Sequence, residues 1–519
     1  MINSFVTAKI RDNFGFAPTS EQSEAIDMIG EFLMSRRDME LFMLRGYAGT
    51  GKTTLVGALV KTLVELKQPV VLMAPTGRAA KVFSSYAEQP AYTIHKRIYR
   101  QKSITDTESF SLNVNLSKHT LFIVDEASMI ANDGLSSSVF GTGRLLDDLI
   151  QYVYSGEGCR LLLMGDTAQL PPVGEEESPA LMPSLLKSYG LHVYEKTLTQ
   201  VMRQLSESGI LYNATAIRYR LMEMMVGSEN MKDESAFRMD GSSSLSSFHF
   251  PLPASDVAHV VGNELIDSLE SSYSRWGADD CMIICRSNKR ANIYNQGIRN
   301  RILYREDELC SGDRIMIVKN NYYWVEKELR AKSEELRVKN ENLRSLQAPS
   351  LQERAGVEVL PLSFIANGDI AVVRRVRRTR EVYGFRFADV LLRFPDYDDY
   401  EMETTVLLDT LHSESPSLTK QESERLFQSV MDDYAHITTK KERYQQLRLD
   451  PHFNALQIKY AYAVTCHKAQ GGQWSCIYLD QGYLPPDTSL IDYFRWLYTA
   501  FTRATEQVYL VNWPKTEEE

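Results

Sequence analysis

The sequence predicts an α/β protein built on parallel sheets, with more than one domain. Three observations carry that expectation. Residues Gly46 to Thr53, GYAGTGKT, fit the phosphate-loop pattern G-x-x-x-x-G-K-[ST] and stand where an apolar run, Leu41 to Leu44, gives way to a helical stretch, Thr53 to Leu66. Further apolar runs of strand length, Pro69 to Ala74, Leu121 to Val124 and Arg160 to Met164, read as buried parallel strands. A chain of 519 residues is also too long for one ordinary core and suggests three or four domains of roughly 100–200 residues.

In chain order, FAPTSEQSEAI (Phe16 to Ile26) offers Thr19 or Ser20 as a helix cap, with Gln22 on the first turn. Alone, Gln22 would be an exposed helical glutamine; just upstream of a phosphate loop it is expected to contact an adenine. In the loop itself, Gly46, Ala48, Gly49, Thr50, Gly51, Lys52, Thr53 and Thr54 form the expected cradle for ATP. The glycines admit backbone N–H groups to the phosphates, and Lys52 reaches the β- and γ-phosphates. The Thr53 hydroxyl takes a place on Mg²⁺. The strand Pro69 to Ala74 ends at Pro75, Thr76 and Gly77, where open α/β sheets bind ligands, so Thr76, Arg78 and Lys81 face a second ligand. His95 follows, trailed by Lys96, Arg97 and Arg100, a cation cluster suited to a phosphate backbone.

Leu121 to Val124 runs straight into Asp125 and Glu126. Asp125 is expected to hold the Mg²⁺ shell and Glu126 to orient or deprotonate an attacking water. The strand after it ends in GDTAQLPPV (Gly165 to Val173), bringing Asp166 and Gln169 to the same edge. An amide such as Gln169 can touch a γ-phosphate and a water together and report hydrolysis to whatever packs on Leu170 to Val173.

Composition narrows the class. Apolar content of 43 % and charged content of 24 % are those of a soluble globular protein. No apolar run approaches a membrane span, and Met1 to Asp12 lacks the regions of a signal peptide, so a cytoplasmic protein with no membrane association is expected. Six cysteines in so long a chain are not a disulfide framework, and no four-cysteine metal spacing occurs. The net charge of −10 excludes a surface that is basic all over but not a groove lined by local clusters, so nucleic acid stays open.

Taken together, GYAGTGKT, VDEAS and GDTAQLPPV resemble the superfamily 1 helicases, specifically the superfamily 1B group of RecD-like and Dda-like enzymes. LTQVMRQ (Leu198 to Gln204) is similar to that group's motif IV, YAVTCHKAQGGQW (Tyr462 to Trp474) to motif V, and LYTAFTRATEQVYLV (Leu497 to Val511) to motif VI. The resemblance implies that Arg203 and Arg503 reach the γ-phosphate from a second motor domain. It also implies two RecA-like P-loop NTPase domains with parallel sheets, a small 1B hairpin insertion and an SH3-like β-barrel insertion, 2B. The expected division is 1–190 for motor domain 1A with the hairpin at about 96–118, 191–310 for the first part of 2A, 311–455 for the barrel with helical excursions, and 456–519 for the rest of 2A.

The intervening segments read more plainly. Val226 to Asp256 is Ser-rich and aperiodic, the pattern of a flexible surface loop. Cys281 to Ile302 reads as a strand and then a basic helix, either a solvated face or a DNA contact. Gly312 to Trp324 and Asn367 to Arg380 resemble two barrel strands; Glu326 to Phe364 between them is expected to be a surface excursion. Within the hairpin, Phe110, Leu112, Val114 and Leu116 alternate with polar residues, the period of a half-buried strand after a polar turn at Thr105 to Glu108. By resemblance this hairpin is a pin at the fork; the plainer reading is a cover for the sheet edge. Ser413 to Asp450 is helical in pattern.

The expected activity is therefore an ATP-dependent motor on single-stranded DNA and its duplex junctions, acting in repair, recombination or replication and moving 5′ to 3′ by resemblance alone. Thr76 and His95 on one motor domain, and Thr465, His467 and Lys468 on the other, are the candidate strand contacts, since such groups bind phosphates without reading sequence. Cys466 carries no expected chemistry. A DNA-stimulated binding switch without strand separation and an RNA-directed helicase are the alternatives. A nuclease is disfavoured, because no separate carboxylate cluster with metal-binding spacing stands apart from the ATP site.

Overall fold

A computed structural model describes residues 2–103, 106–134, 141–201, 208–230, 256–332, 362, 364–484 and 488–513, with the side chains of 2–3, 101–103, 106–110 and 226–230 left aside. The chain forms two compact units, one of residues 1–302 with 462–519 and one of residues 303–461.

The first unit opens with β1 (Glu40–Gly46), β2 (Val70–Ala74), β3 (Ala91–Thr93), β4 (Tyr99–Ser103), β5 (Asp106–Leu112), β6 (Leu121–Val124), β7 (Arg160–Gly165) and β8 (His192–Leu198). Six of these make one all-parallel sheet in the order β3-β2-β6-β7-β1-β8. Leu41 to Leu44 and Leu121 to Val124 are buried throughout, which is why the strands read as unbroken apolar runs: helices cover both faces of a parallel sheet. The sheet carries further than the expected limit at 190. β8 pairs with β1 along its whole length, from Glu40↔His192 to Gly46↔Leu198, so the first sheet ends at Leu198.

The same unit holds a second parallel sheet. Its strands are β9 (Val257–Val260) and β10 (Cys281–Cys285), and, after the excursion of β11 (Arg314–Ile317), β12 (Ile370–Val382), β13 (Phe385–Phe394), β14 (Tyr400–Leu407) and β15 (Leu456–Tyr460), β16 (Ala463–Thr465), β17 (Trp474–Asp480) and β18 (Ala504–Val511). The order is β16-β10-β17-β18-β9. The basic helix expected after Cys285 is Asn288–Arg301, capped by Ser287. The loop expected from Val226 starts later, since the helix Gly209–Asn230 carries through it; residues 231–255 lie outside the described residues.

The expected hairpin is present as β4 and β5, but its limits differ from the alternating pattern. β5 begins at Asp106, inside the expected turn, and ends at Leu112. Beyond it the alternation inverts: Val114 is 55 % and Leu116 85 % exposed, while Asn115 is buried with Nδ2 donating to Tyr152 O and Val153 O, both at 3.1 Å. Two backbone carbonyls that need a donor outrank the apolar pattern there.

In the second unit β11 to β15 close into a barrel, with β15 antiparallel to β11 and parallel to β14. Tyr383 and Gly384 both take positive φ, 59° and 69°, in the two-residue turn between β12 and β13, the geometry that matches strand twist in a tight hairpin. Two helices, Lys420–Asp433 with a Thr419/Glu422 capping box and Lys440–Leu449, supply the helical pattern read in 413–450. Residues 323–332 are helical; most of the excursion that follows lies outside the described residues.

Candidate active site and strand contacts

The carboxyl ends of β1, β6 and β7 open on one cavity of about 810 Å³, within the size range of small-molecule sites. Lys52, Asp125, Glu126, Gln169 and Arg503 all line it, together with Ala48, Gly49, Gly51, Thr53 and Thr54. Five residues expected to act together are thus brought together. Gly49 and Gly51 have φ of 73° and 80°, and Gly51 caps the helix Lys52–Glu65, so the loop turns its amides inward without a Cβ penalty. Lys52 donates back to Gly46 O and to Tyr47 O at 3.0 Å.

Asp125 stands at the end of β6 with Oδ2 accepting from the Tyr86 hydroxyl at 2.6 Å and Oδ1 from Glu126 N–H at 2.7 Å. Burial, reinforced by the neighbouring Glu126, pushes its carboxyl up to about 6. That is the environment a bound cation relieves, and the Thr53 hydroxyl is exposed in the same cavity, so Asp125 and Thr53 fit a divalent ion between loop and strand. Glu126 itself adopts φ of 50°, a left-handed conformation costly for a residue with a Cβ. The turn brings its Oε1 to 3.7 Å from Arg503 Nη1. Strain of this kind persists where the surroundings impose it, and here it aims a carboxylate across the cavity.

Arg503 is 4 % exposed and is held by Thr499 O, Gly472 O and the Thr502 hydroxyl at 3.1, 3.3 and 3.1 Å. The helix Leu490–Phe501 that precedes it bonds directly to the first sheet's loops. The Tyr498 hydroxyl accepts from Ala48 N–H at 2.8 Å and donates to Asp166 Oδ2 at 2.7 Å. Leu170 N–H donates to Thr499 Oγ1 at 2.9 Å, and Leu170 O accepts from Gln470 Nε2 at 2.8 Å. The residue next to Gln169 therefore has both backbone groups held from the second sheet's side.

Gln22, expected at an adenine, is buried and bonded to the loop. Its Oε1 accepts from Thr19 N–H and its Nε2 donates to Thr50 O, both at 2.9 Å, so the amide serves as cap and brace. Sequence reading missed Phe16, an aromatic 56 % exposed at the lip of the cavity, and Tyr86, both of which line it. Phe16 stood in view three residues before a helix cap; Tyr86 and Tyr498 gave no local signal. Arg203 lies outside the described residues.

The candidate strand contacts lie on one edge of each sheet. Thr76 follows β2 by two residues and caps the helix Gly77–Ala87 through Ala79 N–H at 3.2 Å, while Thr465 ends β16 ahead of Cys466–Ala469. The two groups meet: a Cβ on Gly471 would stand 3.0 Å from Thr76 Oγ1, and Arg78 donates to Gln473 O at 2.9 Å while covering the Trp474 ring. His467 is exposed and Lys468 half-buried, its ammonium pushed down to about 8 by burial. His95 stands just ahead of the cations Lys96, Arg97 and Arg100. Burial pushes its imidazole down to about 4, so it offers a neutral polar group and no charge at physiological pH. Cys466 is buried, with its thiol pushed up to about 12. Among the described residues no group of three or more His, Cys, Asp or Glu side chains could hold a metal, and no helix is long and apolar enough to cross a membrane.

Comparison with known proteins agrees with this arrangement. A family model described as an AAA domain matches residues 18–220, and one described as a UvrD-like helicase C-terminal domain matches residues 460–511. An uncharacterized protein, R530 of Acanthamoeba polyphaga mimivirus, is 23 % identical over 94 % of this chain and 98 % of its own length. The ATP-dependent RecD2 DNA helicase of Deinococcus radiodurans is 29 % identical over 38 % of this chain, and the ATP-dependent DNA helicase dda of Enterobacteria phage T4 is 28 % identical over 34 %. The chain spans 23 % and 37 % of the lengths of those two helicases. A phosphate loop, a strand-borne Asp–Glu pair and the motif VI arginine are thus gathered on one cavity, in a chain whose matches to an AAA domain and to a UvrD-like helicase C-terminal domain fall in that order and which is similar, over part of its length, to two DNA helicases.

Proposed function

We propose that the protein is an ATP-dependent DNA helicase that moves along single-stranded DNA, from 5′ to 3′, and separates duplex at junctions. The observation that carries the reading is the meeting of Arg503 and Glu126 at 3.7 Å across a cavity that the phosphate loop also lines. Phosphoryl transfer needs little covalent help from the protein; it needs position and charge. Lys52 and the loop amides hold the phosphates, Glu126 takes the proton of the attacking water, and Arg503 stabilises charge that develops on the γ-phosphate. Bound Mg²⁺, held by Thr53 and Asp125, would neutralise the β- and γ-phosphate oxygens. Gln169 sits beside Leu170, whose backbone is tied to Thr499 and Gln470, so loss of the γ-phosphate is felt by the segment that carries Lys468.

The strand itself is proposed to lie along Thr76, His95, Thr465, His467 and Lys468. ATP turnover measured with single-stranded DNA, single-stranded RNA and no polymer tests the substrate. Unwinding of partial duplexes with a 5′ tail only or a 3′ tail only tests separation and direction. Stimulation by DNA together with preference for the 5′ tail is the expected result. Stimulation by RNA alone, turnover without separation, or preference for the 3′ tail would each overturn the corresponding part.

A further inference from the structure

Behind Gln169, on the side away from the nucleotide cavity, lies a second chamber of about 250 Å³. Gln169 lines both. The chamber's walls carry two arginines, Arg45 from the end of β1 and Arg495 from the helix Leu490–Phe501, and one carboxylate, Glu177. Arg495 is 6 % exposed; its Nη1 donates to Glu176 O at 2.5 Å and its Nε is buried with no partner among the described residues. Arg45 pairs with Glu195 at 3.3 Å through Nη2, and its Nε is likewise buried without one. Both arginines line the chamber, and guanidinium N–H groups are the donors that hold an oxyanion by charge-assisted bonds. Gln169 Oε1 is also buried without a partner among the described residues.

We infer that this chamber receives inorganic phosphate after hydrolysis. A tetrahedral oxyanion released at the γ-position passes Gln169 and is held by Arg45 and Arg495 before it leaves. The inference rests on the ATPase reading above. It does not concern the DNA strand, since β1 and β8 lie at the opposite edge of the sheet from β2 and β3, which lead to Thr76 and His95. Hydrolysis supplies the ligand by addition of water across the β–γ bridge, giving ADP, phosphate and a proton, with no further reactant.

The test uses the full chain and inorganic phosphate, with chloride at equal ionic strength as the control. Phosphate should raise the thermal midpoint of wild type and of Lys52→Ala alike, because the chamber does not include the phosphate loop's lysine. Arg45→Gln and Arg495→Gln should each weaken that binding about tenfold or more, the loss of one charge-assisted bond. No stabilisation beyond chloride in wild type overturns the inference; so does stabilisation that Lys52→Ala abolishes and Arg45→Gln retains. Should Arg495→Gln not fold, Arg45→Gln alone decides. In single-turnover runs, phosphate should appear in solution after cleavage with a lag that Arg45→Gln shortens, and an unchanged lag refutes the holding step. A protein that cleaves no ATP would refute the ATPase reading, while the phosphate titration still decides the chamber.

Discussion

Replacing Tyr498 with Phe deletes one oxygen that joins the helix before Arg503 to both the phosphate loop and the strand end that carries Asp166. The hydroxyl makes a bond to a neutral amide at 2.8 Å and another to a carboxylate at 2.7 Å, in a side chain 1 % exposed. Bonds of these two kinds contribute about 0.5–1.5 and about 1.5–3 kcal/mol, so the arrangement that sets Arg503 against Glu126 loses about 2–4 kcal/mol. The ring still fills its space, and no cavity opens to add to the cost. If half of that loss is felt in the transition state, DNA-stimulated kcat falls about tenfold, since about 1.4 kcal/mol is a factor of ten. The KM for ATP should change less than kcat, because Lys52 and the other loop amides are untouched and only Ala48 N–H loses its partner. Steady-state ATP turnover with saturating single-stranded DNA reads both constants, and the thermal midpoint confirms folding. An unchanged kcat would refute the closure argument; a rise in KM with kcat preserved would mean that Tyr498 serves nucleotide binding instead.

Glu126→Gln keeps the shape of the side chain but removes the base, so it should bind ATP and turn it over at least about a hundredfold more slowly, and near-normal DNA-stimulated turnover would remove Glu126 from its role. Replacing residues 103–115 with a short Gly-Ser link should abolish unwinding while leaving DNA-stimulated turnover and translocation largely intact; unwinding at a normal rate, or loss of folding and turnover together, would make the hairpin a structural cover. Asp369 in the barrel is buried, and burial pushes its carboxyl up from 3.8 to about 7 even though Ala366 N–H and the Tyr397 hydroxyl both donate to it. Its folded value exceeds its unfolded one, so the folded protein binds the extra proton between about pH 4 and pH 7 and stability falls with rising pH across that window. Asp369→Asn should flatten this part of the curve and leave the variant no less stable at pH 8 in thermal unfolding; a wild-type curve and a variant curve of equal slope would exclude the effect.

Both motor sheets and the barrel were legible because their signals are local. A strand that feeds a Gly-rich turn, or one that runs into Asp125 and Glu126, declares itself within ten residues, and parallel strands buried on both faces read as apolar runs wherever they occur. What escaped the sequence was set by contacts distant in the chain. Tyr498 lies 450 positions from Ala48, and nothing around either residue announces their bond. β8 was assigned to the wrong domain because an edge strand with a half-buried pattern resembles the start of something new. At Val114 and Leu116 the alternation was real but lost to Asn115, whose amide was needed by two carbonyls of a neighbouring helix. Gln22 was placed near the right loop, but its bonds to Thr19 and Thr50 were not read, since an amide at the third position of a helix can turn back to cap it.

The helix Gly77–Ala87 explains how the two halves of the site can act as one. Its face carrying Val82, Ser85 and Tyr86 lines the nucleotide cavity, where the Tyr86 hydroxyl donates to Asp125. Its N-terminus is capped by Thr76, which stands ten residues and about 15 Å from Tyr86 and packs against Gly471 of the segment following Lys468. That segment returns to the nucleotide through Gly472 O, an acceptor for Arg503. The path is a closed circuit: carboxylate to tyrosine, along a rigid helix to the edge where the strand is proposed to lie, and back by a glycine turn to the arginine opposite the same carboxylate pair. A change of charge at Asp125 thus bears on both ends of a rigid element, and a displacement of Thr76 bears on Arg503. Such an element, biased from two sites, is the physical requirement for coupling hydrolysis to movement.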